Sequence, residues 1–309
     1  MRKTSTMLCA AALALGFSAC GQPDASPAKE PLAAAHDHHG MAMGTPMRHD
    51  MGSMGHDMGH DMGSMAMPAM MLSESVEARV TPLAPLAAGQ PGTLRFRFES
   101  RASRAALTDF EVAHERRLHV FVVSDDMSFF AHVHPTLSDA EAGLWTLEQT
   151  FPAPGRYQIY ADFKSTGAGA NVTRSDLVVA GTPPAAVPLT VDGEMTKTFG
   201  GLTVTARFTP WPLTTGDTLL TYRVTDESGQ PVTDLAPYLG AFGHLFALSS
   251  DKVTMAHAHP EGAAPTADAH GGPEISFHTR FPSAGTYKLW AQVLRGGIVT
   301  TTDWTVAVH

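Results

Sequence analysis

The 309 residues allow roughly two domains once a leader and a tail are set aside. Lys plus Arg number 21 against 30 Asp plus Glu, so the net charge is −9 with histidine neutral. That balance excludes a basic nucleic-acid surface and favours solubility, with some attraction for cations.

The N-terminus reads as a targeting segment, with a charged start at Arg2 and Lys3 and an apolar run from Met7 to Phe17. The run is too short to span a bilayer as a permanent helix. Phe17-Ser18-Ala19-Cys20-Gly21 resembles a bacterial lipobox. The resemblance implies that residues 1–19 are a lipoprotein-type signal peptide and that Cys20 carries lipid. Gly21-Gln22 lacks the aspartate that retains such lipoproteins in the inner membrane. The expected location is therefore the periplasmic face of a bacterial membrane, with the outer membrane favoured. Cys9 leaves with the signal, so the folded part holds no thiol and no disulfide and must rely on its core. A cysteine-ligated blue-copper centre and thiol nucleophile chemistry are both excluded.

Residues 20–73 are expected to form a lipid-anchored, disordered tail. Gln22 to Ala35 is a Pro/Ala-rich spacer, and from His36 the composition turns to His, Met, Gly and Asp. His36, His38 and His39 come first, and His-Asp-Met-Gly recurs at His49, His56 and His60. Met51, Met54, Met58, Met62 and Met65 run between and beyond them. Glycines at 52, 55, 59 and 63 argue against a buried helix face. Thioethers on a flexible backbone suit Cu(I), and Ag(I) as a second soft ion, while the interleaved imidazoles suit Cu(II) and borderline ions such as zinc.

From about Glu74 short alternating segments are divided by turns. Thr93–Phe98, Leu118–Val123, Ser128–His134, Leu144–Thr150, Gly155–Phe163 and Ser175–Ala180 read as strands. Gly181-Thr182-Pro183-Pro184 reads as a linker. Leu202–Phe208, Thr218–Thr225, His244–Leu248, Val253–His259, Glu274–Phe281, Gly285–Val293 and Ile298–Val308 then repeat the plan. Two tandem immunoglobulin-like β-sandwiches follow, an all-β fold with domains at 74–182 and 183–309. Phe-Pro-x-x-Gly-x-Tyr occurs at Phe151–Tyr157 and again at Phe281–Tyr287, and reads as a packing element like a tyrosine corner.

Each half also contains His-x12-His-x-His-Pro: His119, His132 and His134 in the first, His244, His257 and His259 in the second. Residues two apart on a strand share a face, so each pair presents two imidazoles together, and an adjacent strand can add the third. Three converging nitrogens begin a copper or zinc site. Met255 is in phase with His257 where the first copy has Phe130, which favours copper in the second copy. His114, where the second half has Leu239, is a candidate fourth ligand of the first set. The competing reading makes these histidines structural, with His-Pro a strand-end turn. His270 and His278 read as exposed, and His309 is terminal.

The run at 118–135 and its partner at 238–260 resemble the YtkA-like domains of bacterial exported proteins. The resemblance implies immunoglobulin-like sandwiches and an association with copper handling. No carboxylate pair, Ser/His/Asp arrangement or phosphate-binding glycine loop stands out, and Asp125, Asp126 and Asp162 read as turn or surface acids, so an enzyme is not expected. The leading expectation is a periplasmic lipoprotein that captures Cu(I) or Cu(II) for resistance, storage or hand-over. The alternative is a non-catalytic module that docks a membrane efflux or oxidase-assembly partner. Whether the two halves form one site or two is left open by the sequence.

Overall fold

Alternation in Leu94-Arg95-Phe96-Arg97-Phe98 turns Leu94, Phe96 and Phe98 to one side, and all three are fully buried in the computed structural model, which describes residues 71–260 and 264–309. The expected signal peptide, Cys20 and the expected tail as far as residue 70 lie outside the described residues, whereas Leu72 and Ser73, placed at the end of that tail, pair with Val172.

The first sandwich contains β1 (Val76–Pro82), β2 (Pro91–Ser100), β3 (His119–Ser124), β4 (Phe130–Val133), β5 (Thr136–Asp139), β6 (Leu144–Thr150), β7 (Gly155–Ser165) and β8 (Gly169–Val179). Its sheets run β1-β2-β6-β5 and β4-β3-β7-β8. The second contains β9 (Thr196–Phe199), β10 (Leu202–Thr209), β11 (Gly216–Thr225), β12 (His244–Ser249), β13 (Met255–Ala258), β14 (Glu274–Phe281), β15 (Gly285–Arg295) and β16 (Ile298–Val308). Its sheets run β14-β11-β10-β9 and β13-β12-β15-β16. All neighbouring strands are antiparallel.

The immunoglobulin-like expectation therefore holds, and the repeat extends from sequence to topology. β12, β13, β15 and β16 take the places of β3, β4, β7 and β8. The edges differ: the first sandwich closes one sheet with β5, the second extends the matching sheet with β9 on its opposite edge. The tyrosine-corner expectation is met twice. Tyr157 donates its hydroxyl to the Ala153 carbonyl at 2.8 Å, and Tyr287 does the same to the Ser283 carbonyl at 3.0 Å.

Each sandwich has its own core. Phe96, Phe98, Phe110, Trp145, Tyr157 and Phe163 anchor the first, and Phe208, Tyr222, Phe277, Tyr287 and Trp304 anchor the second. A third apolar cluster joins them. It combines Phe121, Val123, Met127, Tyr160 and Val172 with Phe246, Leu248, Met255 and Trp290. Its cause lies in β3 and β12, whose residues are buried on both faces apart from Ser124 at the end of β3. Val120 and Val122 enter the first core while Phe121 and Val123 face outward; Leu245 and Ala247 enter the second while Phe246 and Leu248 face outward. Those two outward faces cover one another.

Phe121 and Phe246 stack at the centre, with ring centroids 4.2 Å apart and planes 20° apart. Phe130 and Trp290 stack beside them at 4.8 Å. One end of this interface is closed by polar bonds: Tyr160 donates to the Lys252 carbonyl at 2.9 Å, and Lys252 pairs with Asp125 at 2.6 Å. The opposite end carries the histidines. Phe246→Ala removes the central ring, and a buried Phe→Ala change costs about 3–5 kcal/mol. Denaturant unfolding should show a midpoint lowered accordingly, while the two cores keep their strand signature by far-ultraviolet circular dichroism.

Candidate metal centre

His119 and His244 each begin a strand, and a tight turn precedes each one. Ala113–Arg116 and Tyr238–Ala241 are closed by paired backbone bonds, Ala113 N to Arg116 O at 2.8 Å and Tyr238 N to Ala241 O at 2.7 Å. The two central residues of each turn have positive φ: His114 at 51° and Glu115 at 64°, Leu239 at 53° and Gly240 at 74°. This is the mirror-image turn geometry, uncommon for residues other than glycine. Its effect is to aim one carbonyl at each histidine. His119 donates its Nε2–H to the Ala113 carbonyl at 3.0 Å, and His244 donates its Nε2–H to the Tyr238 carbonyl at 2.7 Å.

The next two histidines are oriented from across the interface. His132 donates its Nδ1–H to the Gln292 side-chain oxygen at 3.1 Å, and His257 donates its Nδ1–H to the Asp162 carboxylate at 2.9 Å. Gln292 stands beside His244 in the sheet register and Asp162 beside His119. Each therefore sits next to the histidine of its own sandwich and orients the histidine of the other.

These four bonds fix the tautomers. A carbonyl or carboxylate oxygen can only accept, so the outward nitrogen holds the proton and the inward one keeps its lone pair. The inward nitrogens are His119 Nδ1, His132 Nε2, His244 Nδ1 and His257 Nε2. His119 Nδ1 and His132 Nε2 lie 3.1 Å apart, and His134 Nε2 lies 3.3 Å from the same His119 nitrogen. In the second copy His244 Nδ1, His257 Nε2 and His259 Nε2 are buried and have no hydrogen-bond partner. Ligand nitrogens of His244, His257 and His259 all lie within 4.8 Å of one another, and so do those of His119, His132 and His257.

Ring geometry repeats between the copies. The centroids of His119 and His134 are 5.0 Å apart at 83°, and those of His244 and His259 are 4.7 Å apart at 87°. His132 and His134 stand at 4.7 Å and 58°, His257 and His259 at 4.6 Å and 63°. Across the interface His119 meets His257 at 5.4 Å and His132 meets His244 at 5.8 Å. Two equivalent triads thus face one another across the joint.

Burial holds the imidazoles neutral. It depresses His132 and His257 well below the ordinary histidine range, with the neighbouring imidazoles acting in the same direction. His244 falls to about 4 although the Tyr238 carbonyl opposes the shift, and His134 falls to about 2. Burial also pushes Asp162 up to about 6, against the pull of His119 and His114. At neutral pH the set is one carboxylate and six unprotonated imidazoles, able to take a cation without first shedding protons. His134 and His259 are half-buried and His114 is exposed, so the cluster opens to solvent at that edge.

The structure thus brings His119, His132, His134, His244, His257 and His259 together. Three expectations need correction. Asp162 is neither a turn nor a surface acid: it lies within β7, its side chain is 15% exposed, and it orients His257. Its role, like that of Gln292, was missed because the partner lies in the other half of the chain. The two residues share a local pattern, an aromatic-alanine step before a polar side chain, in Tyr160-Ala161-Asp162 and Trp290-Ala291-Gln292, but that pattern does not mark a histidine partner. His114 does not join the first triad but stacks on His259 of the second, at 3.5 Å and 24°. His278 is half-buried within β14, whereas His270 is exposed. Met255 shares the face of His257, and its side chain is packed in the apolar cluster beneath the histidines.

Residues 73–179 and 197–309, one stretch per sandwich, match the family described as "Domain of unknown function (DUF8832)". The chain belongs to that family. The close group His244–His257–His259 lies within the second stretch, whereas His119–His132–His257 draws on both. No curated protein matches the chain. Among solved structures it is similar to Escherichia coli alpha-2-macroglobulin, with 12% identity and a TM-score of 0.26, over 77% of this chain and 16% of that one. Red sea bream transglutaminase matches at 10% identity and a TM-score of 0.22, over 77% of this chain and 32% of that one. The fibronectin(III)-like modules of Clostridium thermocellum CbhA match at 12% identity and a TM-score of 0.18, over 74% and 93%. The chain spans only 16% and 32% of the first two proteins' lengths.

Proposed function

We propose that the protein is a copper-binding lipoprotein of the periplasmic face of a bacterial membrane, which captures Cu(I) or Cu(II) for resistance, storage or hand-over. The observation that carries this reading is the set of inward lone pairs. Backbone carbonyls, Gln292 and Asp162 all take the outward protons, leaving His119 Nδ1 and His132 Nε2 face to face at 3.1 Å. Two buried lone pairs at that distance repel unless a cation lies near both. Nitrogens bound at about 2.0–2.1 Å around one metal ion lie roughly 3.3–3.5 Å apart, close to the spacing of this triad. His134 Nε2 can donate to His119 Nδ1 in the first copy, but in the second the inward nitrogens of His244, His257 and His259 are buried with no hydrogen-bond partner, as a purely structural cluster would not leave them.

Imidazole alone suits several ions. Copper is favoured by the methionines of the tail, since thioethers interleaved with imidazoles select Cu(I), and by the resemblance to YtkA-like domains. The tail is read as the first captor and the folded triads as the seat that holds the ion. Hand-over goes to a copper efflux or assembly partner.

The test is titration of the mature full-length protein with Cu(II) in air, and with Cu(I) under anaerobic chelator competition. Expected is a set of tight sites that survives in a chain whose tail histidines and methionines are replaced, plus additional capacity that disappears with them. If the replaced chain binds copper no better than an unrelated β-sandwich, the folded domains are not the seat and the histidines are structural.

A further inference from the structure

The triads are equivalent in geometry but not in what stands behind them. Behind His257 is the carboxylate of Asp162, and behind His132 is the neutral amide of Gln292. A carboxylate accepting from the far nitrogen of a ligating imidazole raises that ligand's basicity and fixes its ring more firmly than an amide does. A second difference acts on the same side: His114 stacks on His259, and in the second copy Leu239 occupies the position of His114. His257 belongs to both groups of close nitrogens, but His134 Nε2, 3.3 Å from His119 Nδ1, can take its place in the first set and leave His244, His257 and His259 to the other.

We infer that the two sandwiches build a paired two-ion centre across their joint, in which the His244–His257–His259 triad fills first because Asp162 stands behind it. The inference rests on the proposed function, metal capture. The His257 nitrogen lies within 4.8 Å of ligand nitrogens from both triads, so two bound ions are close neighbours. Their mutual repulsion weakens the second step further. Because each orienting side chain comes from the opposite sandwich, neither triad is complete unless the two are docked. Asp162 and Gln292 are positioning residues, and exchanging them should exchange the order of filling.

The experiment uses the full chain with His36, His38, His39, His49, His56 and His60 replaced by alanine, so that Cu(II) is counted on the folded residues. Calorimetric titration is followed by electron paramagnetic resonance at each addition. Expected are two steps: a mononuclear spectrum after the first ion, and loss of that signal through coupling when the second arrives. Asp162→Asn keeps the shape and should weaken the first step about 10–100-fold while leaving the second in place. In the double variant D162N/Q292E the tight step should return but depend on His132 instead of His257, as read by adding His132→Ala or His257→Ala. Near-ultraviolet circular dichroism verifies the fold of each variant. One ion per chain that requires both His132 and His257 would overturn the pair and leave metal capture standing. Two ions with a first step indifferent to D162N would overturn the order of filling. No copper on the tail-substituted chain would overturn the proposed function itself.

Discussion

Replacing His132 and His257 together by alanine should abolish copper binding by the folded domains while sparing the capacity of the tail. These two side chains are the middle ligands of their triads, buried at 7% and 3% exposure and each oriented from the opposite sandwich. Loss of an outer partner of a metal ligand costs 10–100-fold in affinity, and loss of the ligand itself costs more, so at least about 100-fold weaker binding is expected at each triad. Heat offers an independent readout. Copper at about 1,000 times its Kd stabilises the native state by about 4 kcal/mol, a rise in Tm of roughly 10 °C for domains of this size. Scanning calorimetry should show that rise in the parent and none in the double variant. The apo double variant also loses stability, because Asp162 and Gln292 are left without their imidazole donors; an unsatisfied buried polar group costs about 1–3 kcal/mol. An unchanged copper-induced rise would show that the metal sits elsewhere.

Strand positions were legible because period-two alternation and Gly/Pro punctuation survive in a half-buried sheet. Leu144–Thr150, Glu274–Phe281 and Ile298–Val308 coincide with observed strands. The strands not anticipated, β1, β5 and β9, all stand at sheet edges. There one flank is unpaired, so charged and small residues are tolerated and the pattern blurs. The histidine repeat was legible as three imidazoles per copy, but not the meeting of the copies. That meeting is set by a covered sheet face. Leu118–Val123 and Leu245–Leu248 are nearly continuous apolar runs, the signature of strands buried on both faces. Taken seriously, those runs require a second layer over β3 and β12, and the only matching apolar face in the described residues is the other copy. Asp162 and Gln292 were harder to find, because they are chemically different residues at equivalent places and nothing local marks either as a partner of histidine.

The apo protein should begin to lose stability in mildly acidic solution, as pH falls below the ordinary histidine value. Burial holds the folded-state pKa of the six clustered histidines below the unfolded value near 6.5, to about 4 for His244 and about 2 for His134. For a group whose pKa falls on folding, the unfolded chain binds more protons once the pH drops below 6.5, so stability rises with pH and is lost as pH falls. His244 alone accounts for about 3 kcal/mol between pH 6.5 and 4, at about 1.4 kcal/mol per pH unit. Asp162 works the other way, because its folded pKa is raised to about 6 and protonation between pH 6 and 4 favours the folded state. One carboxylate against six imidazoles leaves the sign unchanged. The total exceeds the usual margin of a domain, so the cluster is expected to open before all six sites are charged. Apo protein followed by intrinsic fluorescence should therefore show an acid transition between about pH 6 and 4. Copper competes with protons for the same lone pairs and should move that transition to lower pH. Replacing Phe246, whose ring stacks on Phe121 and Trp290, weakens the joint and should move it upward. If the apo transition stays below pH 4 and is indifferent to copper, the imidazoles do not form the closed, neutral cluster that links the sandwiches.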